Sequence, residues 1–177
     1  ARTVGRVHDL VPKVSDGSRF SGTLGIAHTR WATHGGVTEE NAHPQRSDQS
    51  EGGVVTIVHN GIIENHATIK QWLEGKGHEF RSETDTEVLA HLIGEFYEGD
   101  LEEAVQAALK EVTGAYAIAA ISAREPDCLV VARKGSPLIV GIGSDEFVVA
   151  SDSSAIVAHT RQAFTLEDYT VARITPD

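Results

Sequence analysis

AYAIAAISAREPDCLVVARKGSPLIVGIGSDEFVVAS, residues Ala115 to Ser151, decides the fold. Four short apolar runs lie within it: AYAIAAIS, CLVVARK, PLIVGIG and EFVVAS. Each is bounded by Pro, Gly or acidic residues, and none is long enough to present a helical stripe. Runs of this length and punctuation read as the strands of a meander. Beyond them, Ser153 to Ala158 reads as a short helix. AFTLEDYTVARI then closes the chain with two more strands, broken near Glu167 and Asp168.

Upstream of Ala115 the period changes. Leu101, Ala104, Val105, Ala108, Leu109 and Val112 recur at helical spacing behind Asp100 and Glu103. Thr84 and Glu87 form the capping box T-D-T-E, followed by Val88, Leu89, Leu92, Ile93 and Phe96, with Gly99 ending that helix. An earlier helix is expected over Asn65 to Glu74, with Ile69, Trp72 and Leu73 on one face and Gly75 as its stop. Ahead of it, SEGGV (Ser50 to Val54) reads as a turn, and VVTIV (Val54 to Val58) as a buried strand. That strand runs into His59-Asn60-Gly61, and Asn-Gly is a tight-turn dipeptide. Strands, then helices, then a meander predict an α+β protein. Its mainly antiparallel sheets would stack, with helices on their outer faces.

The chain has 177 residues, enough for one ordinary domain with a sizeable core. A net charge of −11 argues against nucleic acid or an anionic membrane as the main partner. No apolar run reaches the length of a membrane span, and no secretory leader pattern is visible. A single cysteine, Cys128, can form no internal disulfide and reads as a small buried hydrophobe. The expectation is a soluble, cytoplasmic protein. The sequence opens at Ala1 without an initiator Met and reads as a piece of a longer product.

Three constellations carry chemistry. GIAHTRWATHG, Gly25 to Gly35, packs His28, Arg30, Trp31, Thr33 and His34 into one strand-then-loop. Leu24, Ile26 and Ala27 supply an apolar platform, and Gly35 and Gly36 supply a hinge. Arg30 offers a planar fork of donors suited to a carboxylate, so the loop reads as a clamp over a small anion, or else as a surface loop. In an acidic chain, Arg30 gains weight as an anion ligand. In HNG, Asn60 and Gly61 could aim a side-chain amide and a backbone N–H at one oxygen. That is an oxyanion hole worth about 3–4 kcal/mol per donor, and the alternative is a plain hairpin turn. In SETDTEV, Asp85 sits in the first turn of a helix, where it could receive an ammonium group or simply cap the helix. Carboxylate, ammonium and amide-oxygen partners together make a glutamine-sized inventory.

GIAHTRWATHG, NAHP (Asn41 to Pro44), VHNGIIENH (Val58 to His66) and SETDTEV resemble, in that order, the glutaminase domain of class II glutamine amidotransferases. RKGSPL (Arg133 to Leu138) and ASD (Ala150 to Asp152) fit as well. The resemblance covers essentially the whole chain. It is strongest to the branch that feeds ammonia to a C-terminal sugar-phosphate isomerase region, where fructose 6-phosphate becomes glucosamine 6-phosphate. It implies the N-terminal-nucleophile αββα sandwich, with the N-terminal strand missing from this chain. Arg30 would bind the glutamine α-carboxylate and Asp85 the α-ammonium. Asn60 and Gly61 would form the oxyanion hole. Trp31, Thr33 and His34 would lie on the loop that closes over L-glutamine, with His43 and His59 as supporting groups. It implies no cofactor and no metal, no nucleic acid or membrane partner, and a homodimer when full length.

In the family the nucleophile is an N-terminal cysteine whose own α-amino group is the base. These 177 residues match downstream of that point, so this fragment is expected to lack the nucleophile and to be inactive alone. Cys128, at the start of a strand in the meander, has nothing near it in sequence to lower its pKa. Two other readings stand beside the enzyme. One is a non-catalytic glutamine-binding module, or the glutaminase domain of another class II amidotransferase. The other is a metal hydrolase prompted by nine histidines, although none forms an H-x-H or H-E-x-x-H pair.

Overall fold

A computed structural model of the chain describes residues 1–14, 22–31, 35–47 and 55–176. Helices α1 (Val7–Val14), α2 (His66–Gly75), α3 (Asp85–Glu95) and α4 (Leu101–Lys110) combine with strands β1 (Gln45–Arg46), β2 (Val55–Ile63), β3 (Gly114–Ser122), β4 (Glu125–Lys134), β5 (Ile139–Ile142), β6 (Phe147–Ala150), β7 (Ala163–Thr165) and β8 (Thr170–Ile174). They form two antiparallel sheets, in the orders β1-β2-β3-β4-β8 and β6-β5-β7. The α+β class and the stacked antiparallel sheets agree with the sequence reading. The turn expected at Ser50 to Val54 lies outside the described residues.

Alternation along the central strands explains the layering. On β3 and β4, Ile118, Ala120, Cys128, Val130 and Ala132 face one way and join a cluster with Val88, Leu89, Leu92, Ile93, Ala104 and Val105 of α3 and α4. Their neighbours Ala117, Ala119, Ile121, Leu129 and Val131 face the other way, toward Leu138, Val149 and Leu166 of the small sheet's side. β4 is thus buried on both faces, which is why CLVVA is an unbroken apolar run. Fully buried residues such as Ile118 and Leu92 each contribute roughly 1.5–3 kcal/mol. A 3-10 turn, Ser153–Ala155, stands where a short helix was expected. The segment after it puts Ile156 and Thr160 against Gly141 of β5, on the outer side of the small sheet.

α3 occupies the centre of the helical layer, against β2 and between α2 and α4. Every residue from Asp85 to Ile93 is buried. Thr84 caps it as expected, its hydroxyl accepting from the Glu87 N–H at 3.2 Å. The Glu87 carboxylate reaches back two and three residues beyond the Thr84 cap, accepting from the backbone N–H groups of Ser82 and Arg81 where a simple capping box would bond Thr84. Asp100 caps α4 in the same way, accepting from Glu103 N–H at 3.0 Å. No helix among the described residues is long and apolar enough to cross a membrane.

Two local expectations change, and one unassigned segment takes on structure. Asn60-Gly61 makes no hairpin turn: β2 runs through it to Ile63, paired with β3 from Val55↔Ser122 to Ile63↔Gly114. Gly61, at φ +137°, brings the strands so close that a Cβ there would stand 2.1 Å from the Ala115 carbonyl oxygen. Cross-strand pairing over nine residues outweighs a dipeptide preference. Leu24 and Ile26 alternate inward onto the inter-sheet cluster, but Leu24 to Ala27 joins no ladder among the described residues. α1, in the segment that carried no structural expectation, is a helix with no buried residue.

Candidate active site

The site forms where β2 meets the first turn of α3. Two contacts bracket Asn60 and Gly61 on β2. His59 Nδ1 lies 3.0 Å from Thr86 Oγ1, and the Ile63 N–H donates to Asp85 Oδ2 at 2.9 Å. Asp85 is buried, yet its Oδ1 meets only the Thr86 hydroxyl at 3.5 Å among the hydrogen bonds on that atom. A carboxylate has about four acceptor positions, so this one retains capacity for an added donor. The capping geometry of Thr84 fixes Asp85 at the positive end of the helix, with its charge held in place.

Three histidines gather around Asn60. His28 Nε2 lies 2.7 Å from Asn60 Oδ1. The His28 ring stacks on His43 with centroids 4.1 Å apart and planes 29° from parallel. His43 Nδ1 accepts from the His59 backbone N–H at 3.4 Å. Burial is the leading cause that disfavours the charged form of all three rings. His43 is pushed down to about 3, chiefly by burial and then by His28, His59 and Arg30. Burial also lowers His28, with the Asn60 hydrogen bond opposing it. His59 is lowered by burial too, with Asp85 pulling the other way. Among the described residues, His28 Nδ1 and His59 Nε2 are buried and make no hydrogen bond of normal geometry. No group of three or more His, Cys, Asp or Glu among the described residues is arranged to hold a metal.

Arg30 sits beside this cluster and close enough to Glu83 to act on its charge. Its guanidinium donates to the carbonyls of Gly36 at 3.1 Å and Gly35 at 3.4 Å. Trp31 is 90% exposed. Thr33 and His34 lie outside the described residues. The structure therefore brings Arg30, His43, His59, Asn60, Gly61 and Asp85 to one region, with Trp31 at its edge.

Sequence reasoning gave no role to Asn41 or Glu83, which hold the Gly35-Gly36 hinge from outside. Asn41 Nδ2 donates to the Gly36 carbonyl and to Glu83 Oε2, and its Oδ1 accepts from the Glu83 N–H at 2.8 Å. Glu83 Oε2 also accepts from the Gly36 N–H, and this bond leads the causes that hold its carboxyl below the usual range. Both residues stand inside quoted motifs, NAHP and SETDTEV. Only the fold shows that the motifs meet. Cys128 lies elsewhere, buried among the helix-facing residues, where burial pushes its thiol up.

Comparison with known proteins places this geometry. The family model described as a glutamine amidotransferase domain matches residues 28–158. Curated proteins named glutamine–fructose-6-phosphate aminotransferase [isomerizing] are similar over nearly the whole chain. The one from Neisseria meningitidis serogroup A is 52% identical over 99% of this chain. The one from Clostridium tetani is 47% identical over 98%, and that from Methanothermobacter thermautotrophicus 54% over 90%. The chain spans about 28% of the length of the first two. Among solved structures, glutamine phosphoribosylpyrophosphate amidotransferase from B. subtilis, complexed with ADP and GMP, superposes with a TM-score of 0.64 at 29% identity. That match covers 85% of this chain and 34% of the other. A structure titled as the allosteric regulatory enzyme of purine biosynthesis gives 0.65 at 31% identity, with the same coverage of each chain.

Proposed function

The chain belongs to the glutamine amidotransferase domain family, and from that membership we propose that residues 1–177 form the glutamine-binding part of a domain that releases ammonia from the side-chain amide, the attacking cysteine lying outside these residues. The observation that carries this reading is the pair of contacts, His59–Thr86 and Ile63–Asp85, that fixes a buried carboxylate beside Asn60 and Gly61. Asp85 receives the α-ammonium of glutamine. Arg30 exchanges its loop carbonyls for the α-carboxylate, which its planar fork matches better. Those two anchors leave the side-chain amide reaching toward Asn60 and Gly61.

A cysteine thiolate attacks the amide carbon, and the carbonyl oxygen takes up the negative charge. The Asn60 amide and the Gly61 N–H stabilise that oxyanion. The C–N bond breaks with proton transfer to the leaving nitrogen, releasing ammonia and leaving a thioester. Water then attacks the thioester, returning the thiol and giving glutamate. Cys128 does not serve as the nucleophile: it is buried in the core, with a raised pKa and no catalytic partner. Trp31, Thr33 and His34 close over the bound amino acid, and His43 and His59 support the floor of the site. The ammonia passes to a sugar-phosphate isomerase region of the same polypeptide, converting fructose 6-phosphate to glucosamine 6-phosphate in a cytoplasmic homodimer.

The test is Asp85→Ala in the full-length aminotransferase. Losing a charge-assisted contact of about 1.5–3 kcal/mol should raise KM for glutamine roughly 10- to 150-fold. Activity with added ammonia should stay unchanged. An unaltered KM for glutamine refutes the role given to Asp85.

A further inference from the structure

We propose that His28 is a positioning residue for the oxyanion hole: its Nε2–H holds Asn60 Oδ1 so that the Asn60 NH2 group, and not its oxygen, faces the reacting amide. This rests on the reading of Asn60 as an oxyanion donor and goes one step behind it.

An asparagine amide needs such a constraint. Its terminal torsion is broad and roughly two-fold, so oxygen and nitrogen can exchange places at little cost. The wrong rotamer would place a carbonyl dipole against the developing negative charge. Binding the oxygen elsewhere removes that rotamer. His28 Nε2 is 2.7 Å from Asn60 Oδ1. The amide oxygen can only accept, so the ring nitrogen facing it carries the hydrogen. The other ring nitrogen, Nδ1, is buried and makes no hydrogen bond of normal geometry among the described residues, although the His59 backbone acts on the ring. The imidazole thus acts as a donor through Nε2, and its burial disfavours the charged form.

The ring is itself held. It stacks on His43 at 4.1 Å, and His43 Nδ1 takes the backbone N–H of His59, the residue preceding Asn60. The support starts and ends on β2 around the same amide. Burial, and to a smaller extent Arg30, disfavours a second proton on the ring, while the Asn60 side-chain contact and the His59 backbone contact favour it. His28 touches no reacting atom in this arrangement; it works through Asn60.

The experiment uses the full-length aminotransferase and measures glutamate formed from L-glutamine. The variants are His28→Ala, His28→Gln, Asn60→Ala and the double variant His28→Ala/Asn60→Ala. Removing an oxyanion donor outright costs about 100- to 1,000-fold in kcat, so loss of its positioning should cost at least about tenfold. His28→Ala is expected to lower kcat by that factor and to change KM for glutamine by less than about threefold. Glutamine's Nε2 can stand where the imidazole Nε2 stood, so His28→Gln should recover most of the rate. Because the replacement cannot titrate, an unchanged pH profile in His28→Gln marks a neutral donor. The double variant should be no slower than Asn60→Ala alone.

Full activity in His28→Ala beside a slow Asn60→Ala overturns the positioning role and leaves the oxyanion reading intact. Multiplicative losses in the double variant, or no rescue by Gln, also overturn it. A lost acidic limb in His28→Gln would make His28 an acid–base group and refute the neutral-donor assignment. Full activity in Asn60→Ala overturns this proposal together with the reading beneath it.

Discussion

Acidifying the protein from about pH 7 to about pH 4.5 should cost it roughly 2.5 kcal/mol of stability at His43 alone. Burial, with His28, His59 and Arg30 nearby, lowers His43 from 6.5 to about 3 in the folded protein. Unfolding restores the ordinary value, so below 6.5 the unfolded chain binds this proton more readily than the folded one. Stability therefore falls as the pH drops through that range, by about 1.4 kcal/mol per pH unit, and levels off near the folded value. Against a total of about 5–15 kcal/mol the loss is large. The assay is the urea midpoint against pH for the wild type and His43→Asn. An Asn Oδ1 can replace Nδ1 as the acceptor for the His59 N–H, and it does not titrate. The variant should be less stable at neutral pH, with the gap to wild type narrowing by about 2.5 kcal/mol by about pH 4.5. His28 and His59, also lowered by burial, and the lowered carboxylates Glu83 and Asp100 add slope of the same sign. They remain in both proteins and cancel in the difference. Parallel curves over this range would refute the assignment.

Two further outcomes are expected. Gly61→Ala should destabilise the protein by about 2–5 kcal/mol, since a positive φ and a 2.1 Å approach to Ala115 O must both be relieved. Gly77→Ala, with φ +94° and no atom within 4 Å, should cost only about 1–2 kcal/mol, and equal losses in urea unfolding would contradict the steric account. Cys128→Ala should leave glutaminase kcat within about twofold while lowering the unfolding midpoint by the cost of a small buried cavity. A rate loss beyond that would reopen the role of this thiol.

Where a segment's neighbours in sequence are also its neighbours in space, the fold was readable in advance. The meander from β3 to β6 announces itself by short apolar runs, and α3 and α4 by capping residues followed by helical spacing. Failures came where distant pairing overrides local preference. Asn60-Gly61 has the composition of a turn, but Gly114 and Ala115 admit the strand's close approach and carry β2 straight on. The residue types suited to carboxylate, ammonium and oxyanion were visible at Arg30, Asp85 and Asn60. Their support was not, because it spans long separations: Asn41 to Glu83, 42 residues, and His28 to Asn60, 32 residues. Nothing in local pattern marks a histidine that serves an amide so far along the chain.

The first turn of α3 is tied down in three places, by Asp85 to Ile63, by Thr86 to His59 and by Glu87 to the Arg81–Ser82 backbone. Its other end, ten residues and about 15 Å away, rests on apolar packing and on Glu95, which pairs with Lys76 and His78 at the surface. Mechanically, α3 is an arm whose fulcrum is the tied end. A push on the Glu95 end becomes a rotation about that fulcrum and barely displaces the Asp85 carboxylate. The Asp85 carboxylate is thus held from two directions, by β2 and by the Arg81–Ser82 backbone.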